Sequence, residues 1–408
     1  MLYTSFKNTL LFVVCTSFFA CEAQTQHTPK EDTSQSPKKE VVLGIEQVPA
    51  ILQMVEGKKI GVVGNQTSIL PLKESNVHLV DTLLSHQVEV IRVFAPEHGF
   101  RGKADAGEQV KDDIDVRTGI PIVSLYGKQK KPTKEHMQDI DLVIFDIQDV
   151  GARFYTYIST LHYVMEACAE NGIPLLVLDR PNPNGHYIDG PILEKKHKSF
   201  VGMHPIPVVH GMSIGEYAMM INGEQWLSDG IEAELFVLAT QNYLMGMPYE
   251  LPVPPSPNLP TPHSISWYPS ICFFEGTNVS EGRGTEAPFE IFGSPFLNEN
   301  SYEFSFVPQP NQGSKYPKHE GKTCFGTDLR KIEAPDFLDL TYLIEAYQNT
   351  NNKEEFFIPF FEKLAGTSEL RKQIEAGLSA TEIRATWQEG LENFRKMSEQ
   401  YYLYERLE

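Results

Sequence analysis

Cysteine is scarce in this sequence, which argues against a fold held together by disulfide bonds. Cys15 and Cys21 lie near the N-terminus, and Cys168, Cys272 and Cys324 are left for the rest of the chain. Three is an odd number, and the spacing of these residues matches no zinc-binding pattern. A single bridge is compatible with the sequence, but the simplest expectation for each of the three is a small buried side chain.

Basic residues are also scarce. The 408 residues include 35 Lys and Arg against 54 Asp and Glu, which gives a formal net charge of −19. Proteins that bind nucleic acid through its phosphates need a basic face, so we expect no nucleic-acid partner. The length exceeds what one hydrophobic core usually supports, which favours two domains.

No apolar run is long enough to cross a membrane as a helix, which requires about 20 residues. Residues 9–20 form a shorter apolar run that follows a lysine, as in a signal peptide. The run ends in Phe18-Phe19-Ala20-Cys21, which resembles the lipobox of bacterial lipoproteins. We therefore expect residues 1–20 to be a lipoprotein signal peptide and Cys21 to carry the lipid, with ordinary cleavage near Ala23 as the alternative.

Residues 21–40 are polar and lack apolar periodicity, which predicts a disordered tether. Together with the lipid, this tether predicts a periplasmic protein of a bacterial envelope that is anchored to a membrane. Residues 41–240 and 241–408 then remain for two folded domains.

In residues 41–240, apolar runs alternate with amphipathic segments, as in a parallel sheet covered by helices on both faces. The predicted strands are 59–63, 88–94, 120–125, 141–145 and 173–178, and the predicted helices are 76–86, 133–139 and 154–171. No strand is followed by Gly-x-Gly-x-x-Gly, and no P-loop motif is present. We therefore expect a Rossmann-like, doubly wound α/β domain that uses no cofactor.

Residues 241–408 predict a smaller α/β domain that completes a cleft with the first. Residues 248–269 include eight prolines, which predicts an extended loop and excludes a helix or a central strand there. Helices are predicted at 341–348, 354–364 and 381–404.

Polar side chains follow one predicted strand after another. Ligands of open parallel sheets bind outside the carboxyl ends of the strands. We therefore expect a site formed by these strand-end residues: Asn65, Gln66, Glu97, His98, Tyr126, Asp146, Asp149, Asp179 and Arg180.

Six segments, which include Pro96-Glu97-His98-Gly99-Phe100-Arg101-Gly102, together resemble one family of enzymes. The segments are 63–67, 96–102, 146–157, 179–183, 281–285 and the tail 401–404. The family is that of the NamZ-type exo-β-N-acetylmuramidases, glycoside hydrolase family 171, which long had no assigned function. The resemblance covers nearly the whole chain after residue 40. It implies release of N-acetylmuramic acid from the non-reducing ends of peptidoglycan fragments, in turnover or recycling of the cell wall.

Glycoside hydrolysis needs a carboxylic acid to protonate the leaving oxygen, and usually a second carboxylate. The resemblance assigns the acid to Glu97, and His98 is a candidate to orient it. The candidates for the second catalytic group, which are acidic or phenolic, are Asp146, Asp149, Glu281, Tyr155 and Tyr157.

N-acetylmuramic acid carries a lactyl carboxylate, and arginine binds a carboxylate through two parallel hydrogen bonds. We expect Arg153 first, Arg283 second, or else Arg101 to bind this group. The other expected substrate contacts, from strand ends and from aromatic rings that stack on sugar, are Asn65, Tyr155, Tyr157, Asp179, Arg180 and Asn182.

Two other functions stay open at this point. One is a non-catalytic envelope lipoprotein that binds cell-wall sugars. The other is a metal-dependent hydrolase that uses Glu97, His98, Asp146 and Asp149, although no His-x-x-x-His or similar spacing supports a metal site.

Overall fold

The computed structural model describes residues 40–72, 75–101 and 113–407. The expected signal peptide, the lipidation candidate Cys21 and almost all of the expected tether lie outside these residues, as does Gly102. The strands of the described residues are β1 (Lys59–Gly64), β2 (Ile69–Leu70), β3 (Val77–His78), β4 (Glu89–Ala95), β5 (Asp113–Ile114), β6 (Pro121–Ser124), β7 (Leu142–Asp146), β8 (Leu175–Leu178), β9 (Leu235–Leu238), β10 (Ile291–Ser294), β11 (Phe304–Phe306) and β12 (Cys324–Asp328).

The central sheet has the strand order β5-β6-β4-β1-β7-β8-β9. All neighbours pair in parallel except β5, which is an antiparallel strand at the edge. Without β5, the order is the 3-2-1-4-5-6 of doubly wound folds, and it reverses between β1 and β7. The expected Rossmann-like α/β architecture is therefore present.

Both faces of the sheet are buried around β7 and β8, which explains why these two strands are apolar except for Asp146 at the end of β7. Along β7, Val143 and Phe145 belong to one hydrophobic cluster, whereas Leu142 and Ile144 belong to the other. Each cluster includes side chains from helices or from loops that cover one face of the sheet.

The helices of the described residues are α1 (Val48–Val55), α2 (Leu79–Ser85), α3 (Lys134–Met137), α4 (Tyr157–Asn171), α5 (Ile214–Gly223), α6 (Pro262–Ile271), α7 (Thr341–Asn349), α8 (Phe361–Ala365), α9 (Glu369–Glu375), α10 (Ala380–Ala385) and α11 (Gln388–Ser398). Helix α4 ends at Gly172, whose φ of 64° is the left-handed stop that the sequence predicts. None of the helices in the described part of the chain combines the length and the apolarity needed to span a membrane.

The smaller C-terminal part contains an antiparallel sheet in the order β10-β12-β11, and α7 to α11 follow it in the chain. The three cysteines of the described residues are buried and unpaired, as expected for small core side chains. The boundary near residue 240 stays a prediction.

The expectation that residues 248–269 contain no helix is wrong at their C-terminal end. Helix α6 begins at Pro262, where the missing N–H of proline costs nothing in the first turn. Pro269 lies inside α6 and deprives the Ile265 carbonyl of its helical donor. The side-chain amide of Asn184 donates to that carbonyl instead, at 3.1 Å.

Three other predicted helices are also shorter or divided. Residues 354–360 are not helical, because Pro359 disfavours helical backbone at the residue before it, and α8 begins only after it. The stretch 381–404 contains the end of α10, α11 and a short 3₁₀ turn at Glu399–Tyr401. The stretch 76–86 starts as β3 and becomes helical only at Leu79.

Candidate active site

A cavity of about 670 Å³ lies beyond the carboxyl ends of β4 and β6. One wall is formed by the turn after β4, the loop after β6 and residues 154–156, and the other by segments between residues 256 and 318. The acidic and basic side chains in its lining are Glu97, His98, Lys130, Glu275, Glu281, Arg283 and Lys318.

Glu97 reaches this cavity from a tight turn that follows β4. Its neighbours His98 and Gly99 both have left-handed backbone, with φ of 68° and 76°, and the Gly99 N–H donates to the Pro96 carbonyl at 3.0 Å. The turn reverses the chain directly after the strand, so that Glu97 and His98 both line the cavity.

Two hydroxyl groups hold the carboxylate of Glu97. The Thr156 hydroxyl, just before α4, donates to its Oε2 at 2.8 Å. The Tyr126 hydroxyl also hydrogen-bonds to Glu97, and burial, followed by the negative charge of Glu97, raises the pKa of Tyr126. Tyr126 therefore stays protonated as a donor.

His98 is buried and connects the turn to the proline-rich segment. Its Nε2 lies 3.2 Å from the hydroxyl oxygen of Ser256, which accepts a hydrogen bond from the Asn258 N–H at 3.1 Å. The role expected for His98, orientation of Glu97, stays a prediction.

The opposite wall carries alternating charges. Arg283 donates through Nη2 to Glu275 at 2.7 Å, and its Nε lies 3.1 Å from a carboxylate oxygen of Glu281. The ammonium of Lys318 lies 3.6 Å from the other Glu281 oxygen. Gly282 and Gly284, with φ of 85° and 79°, give the backbone on both sides of Arg283 the left-handed turns that only glycine adopts easily.

Glu275 is a site residue that the sequence analysis missed. Its side chain is 23% exposed, and it lines the cavity beside Arg283. Burial raises the pKa of this carboxyl group, and Glu281 adds to the rise, whereas Arg283 opposes it. The only signal in the sequence is that Glu275 closes the apolar run 271–274 shortly before the Glu281 motif.

Asp146 and Arg180, both expected in the site, form a buried ion pair instead. The carboxylate of Asp146 accepts from Arg180 at 2.7 Å and 3.0 Å, and both side chains are at most 1% exposed. Neither lines the cavity, and each is engaged by the other, so their placement does not support catalysis by Asp146 or substrate contact by Arg180. Their pairing joins the ends of β7 and β8.

Asp149 is also buried and does not line the cavity. Its Oδ2 accepts from the Gly151 N–H at 2.7 Å, and burial raises the pKa of the carboxyl group to about 7. His210 lies 4.0 Å away, but burial lowers the pKa of this histidine to about 3, so it is neutral and forms no ion pair. Asp149 is therefore not placed to act on a ligand in the cavity.

Asp179 and Asn182 fasten secondary structure rather than substrate. Asp179 accepts from the Ser213 hydroxyl at 2.6 Å and the Gly215 N–H at 2.8 Å, at the start of α5, and from the Tyr404 hydroxyl at 2.5 Å. Asn182 donates to the Met212 carbonyl at 2.9 Å. Their burial and their partners therefore do not support the substrate contacts expected of Asp179 and Asn182.

Two of the three candidate arginines are also engaged elsewhere. Arg101 forms a bidentate pair with Asp115, at 2.8 Å and 3.2 Å. Arg153 is fully buried, and its two terminal nitrogens donate to four main-chain carbonyls at 2.7–2.8 Å. The placement of Arg153 therefore does not support the expected binding of a substrate anion, and only Arg283 of the three lines the cavity.

Asn65, Tyr155 and Tyr157 form a layer beneath the cavity. Asn65 donates to the Tyr157 hydroxyl at 2.9 Å. The Pro255 carbonyl accepts from the Tyr155 hydroxyl at 2.9 Å and from the side-chain amide of Gln66 at 3.0 Å. Burial raises the pKa of both tyrosines, which disfavours the phenolate that a tyrosine nucleophile needs. Of these three residues only Tyr155 lines the cavity, so the placement of Asn65 and Tyr157 does not support direct contact with the substrate.

The groups required by the metal-dependent alternative do not converge. Glu97 and His98 line the cavity, whereas Asp146 and Asp149 are buried away from it with partners of their own. In residues 40–72, 75–101 and 113–407, no cluster of three or more His, Cys, Asp or Glu side chains is arranged to hold a metal ion.

A carboxylic acid that faces further carboxylates across a polar cavity supplies the groups that glycoside hydrolysis needs. Residues 60–263 match the family model for the N-terminal domain of the exo-β-N-acetylmuramidase NamZ, and residues 266–404 match the model for its C-terminal domain. The chain therefore belongs to the NamZ family of exo-β-N-acetylmuramidases, which are glycoside hydrolases.

Individual relatives agree with this assignment. The peptidoglycan β-N-acetylmuramidase NamZ of Bacillus subtilis strain 168 is 39% identical over 401 residues, covering 92% of this chain and 94% of that protein. A crystal structure of a DUF1343 family protein from Bacteroides fragilis NCTC 9343 has a TM-score of 0.83 and 44% identity, covering 90% of this chain and 100% of that one. A crystal structure of a second DUF1343 family protein from that strain has a TM-score of 0.75 and 29% identity, covering 90% of this chain and 99% of that one.

Proposed function

We propose that this protein releases N-acetylmuramic acid from the non-reducing end of peptidoglycan fragments, in turnover or recycling of the cell wall. The observation that carries the proposal is the position of Glu97 in the cavity, where the hydroxyls of Thr156 and Tyr126 hold its carboxyl group. Membership of the family supports the proposal, because the Bacillus subtilis relative is named a peptidoglycan β-N-acetylmuramidase.

In this proposal, Glu97 is the general acid. It gives its proton to the glycosidic oxygen while the bond between that oxygen and C1 of the sugar breaks, and positive charge develops on the ring. A second carboxylate stabilises that charge, and water completes the hydrolysis. Glu275 is the better candidate for this second group, since its side chain is 23% exposed, whereas Glu281 is 4% exposed and its Oε2 is buried.

The direct test is release of free N-acetylmuramic acid from the disaccharide in which it is β-1,4-linked to N-acetylglucosamine. Chromatography of the products should show both monosaccharides with the wild-type enzyme. A sugar-binding lipoprotein would bind the disaccharide and leave it intact, and that result would refute the proposal.

Replacing Glu275 by Gln is expected to lower kcat on this disaccharide by on the order of 10²-fold, because a neutral amide cannot stabilise the developing positive charge. Glu281→Gln is the matched control: it neutralises the other carboxylate bound to Arg283 and should affect the melting temperature more than kcat. Near-wild-type kcat for Glu275→Gln, with loss of activity in a folded Glu281→Gln enzyme, would transfer the role to Glu281.

We also propose that the mature protein is anchored to a membrane in the periplasm through a lipid on Cys21. The lipobox-like end of the apolar run and the polar segment after it support this. Labelled fatty acid should be incorporated into the wild type and into Cys15→Ser, but not into Cys21→Ser. A mature N-terminus at residue 24, measured by mass spectrometry, would argue for ordinary cleavage instead.

A further inference from the structure

Three lysine and arginine side chains of the described residues line the cavity, and two of them are already engaged. Arg283 is held between Glu275 and Glu281, and Lys318 donates to the carbonyls of Phe274, Thr277 and Val279 at 2.8–3.0 Å. The third is Lys130, in the loop after β6. No carboxylate in the described part of the chain forms an ion pair with its ammonium, which lies 4.6 Å from the ring centre of Phe200.

The balance of charge in the cavity makes Lys130 the unmatched cation. Among the described residues, three carboxylates, Glu97, Glu275 and Glu281, and three lysine and arginine side chains line the cavity, besides His98. A general acid must be protonated before the reaction, so Glu97 then carries no charge. Among the described residues, two carboxylates then remain for three lysine and arginine side chains. Such a lining favours a ligand with a single negative charge.

Lys130 also lies on the same wall as the acid. The ring of Phe200, beneath the ammonium, has its centre 6.3 Å from that of Tyr126, whose hydroxyl binds Glu97. In N-acetylmuramic acid, the scissile bond is at C1 and the lactyl ether is at C3. A sugar with its C1 oxygen at Glu97 therefore presents its carboxylate to a neighbouring but separate group, and Lys130, which lines the same cavity, is the candidate for that group.

We infer that Lys130 binds the carboxylate of the substrate and thereby distinguishes N-acetylmuramic acid from N-acetylglucosamine, which lacks the lactyl group. This inference rests on the proposed function and gives Lys130 the role that the sequence analysis assigned to arginine. The carboxylate is the lactyl group itself; the alternative source of the same chemistry is the terminal carboxylate of an attached peptide. Phe200 fixes the ammonium from beneath and leaves its N–H groups available to the anion.

The experiment compares two aryl β-N-acetylmuraminides, one with a free lactyl carboxylate and one in which it is a carboxamide. Wild-type kcat/KM should be about 10- to 100-fold higher for the carboxylate, the range expected for one charge-assisted hydrogen bond. Lys130→Met should lose this preference, mainly through KM, and Lys130→Arg should restore part of it. Lys128→Met is the matched control, since Lys128 is exposed on the same loop and does not line the cavity.

Calorimetric binding of free N-acetylmuramic acid tests the inference without catalysis. Lys130→Met should weaken this binding and leave any binding of N-acetylglucosamine unchanged. Equal losses on both aryl substrates, or unchanged binding of N-acetylmuramic acid, would overturn the inference. In a muramyl dipeptide the lactyl carboxyl group is an amide. If Lys130→Met weakens the binding of this dipeptide alone, Lys130 binds the carboxylate of the peptide, and this result would also overturn the inference. Failure of the proposed function has a separate signature: the wild type releases no sugar, whatever residue is at position 130.

Discussion

Replacing Glu97 by Gln is expected to lower turnover of the muramyl disaccharide by about 10²–10⁴-fold, the usual contribution of a positioned general acid. The amide has nearly the size of the carboxyl group and can still accept the hydrogen bond that Thr156 donates at 2.8 Å. It cannot give a proton to the leaving oxygen. We therefore expect a folded protein with little activity, measured as kcat together with the melting temperature.

The matched control is Glu89→Gln, because Glu89 is exposed at the opposite end of the same strand. It should keep wild-type turnover and melting temperature. A Glu97→Gln enzyme within about threefold of wild type would remove Glu97 from the mechanism, given the size expected for a general acid. If Glu97→Gln does not fold, Glu97→Asp, which keeps an acid on a shorter side chain, separates the two roles.

Five strands of the central sheet could be predicted because each is an apolar run bounded by turn residues, whereas β5 and β9 were not predicted. The turn after β4 could also be predicted, since Glu97-His98-Gly99 directly follows a buried strand. What the sequence could not show is which strand ends open into the cavity. The cavity lies at β4 and β6, to one side of the reversal between β1 and β7. Polar residues at the ends of the other strands bind one another instead.

Asp146 and Arg180 illustrate this limit. Each follows a strand, and each has a charge suited to catalysis or to substrate binding. Because β7 and β8 are neighbours, the two side chains meet and form an ion pair at 2.7 Å. Strand neighbours are a property of topology, and no local pattern in the sequence gives the strand order.

Glu275 was missed for a related reason. Its place in the site depends on Arg283, which brings Glu275 and Glu281 onto one wall. In the sequence, Glu275 follows an apolar run with no glycine-rich motif around it, so it has the pattern of an ordinary helix-end residue. Its partner Arg283 and the acid Glu281 could be found because both lie in a glycine-containing loop.

Replacing Arg153 by Met is expected to lower the free energy of unfolding by about 3 kcal/mol or more. Arg153 donates to the carbonyls of Pro191, Ile206, Leu364 and Ala365, and thereby ties the segment before α4 to the segment around α8. A buried acceptor left without a donor costs about 1–3 kcal/mol, and the variant leaves up to four of them. Burial lowers the pKa of Arg153 to about 9, so its guanidinium is still charged at neutral pH and forms charge-assisted bonds.

The variant no longer buries a charge, and this gain in stability opposes the loss of the four hydrogen bonds. We expect the loss to be larger, because methionine cannot donate to any of the four carbonyls. Urea unfolding of Arg153→Met measures the net effect. Arg371→Met is the control: Arg371 pairs with Glu375 one helical turn away, both are 37% exposed, and such a pair contributes about 0.5 kcal/mol at most. Folded Arg153→Met enzyme should keep the wild-type ratio of kcat/KM between the aryl β-N-acetylmuraminide with a free lactyl carboxylate and the one with a carboxamide. Unchanged stability together with a lost preference would return Arg153 to the substrate site.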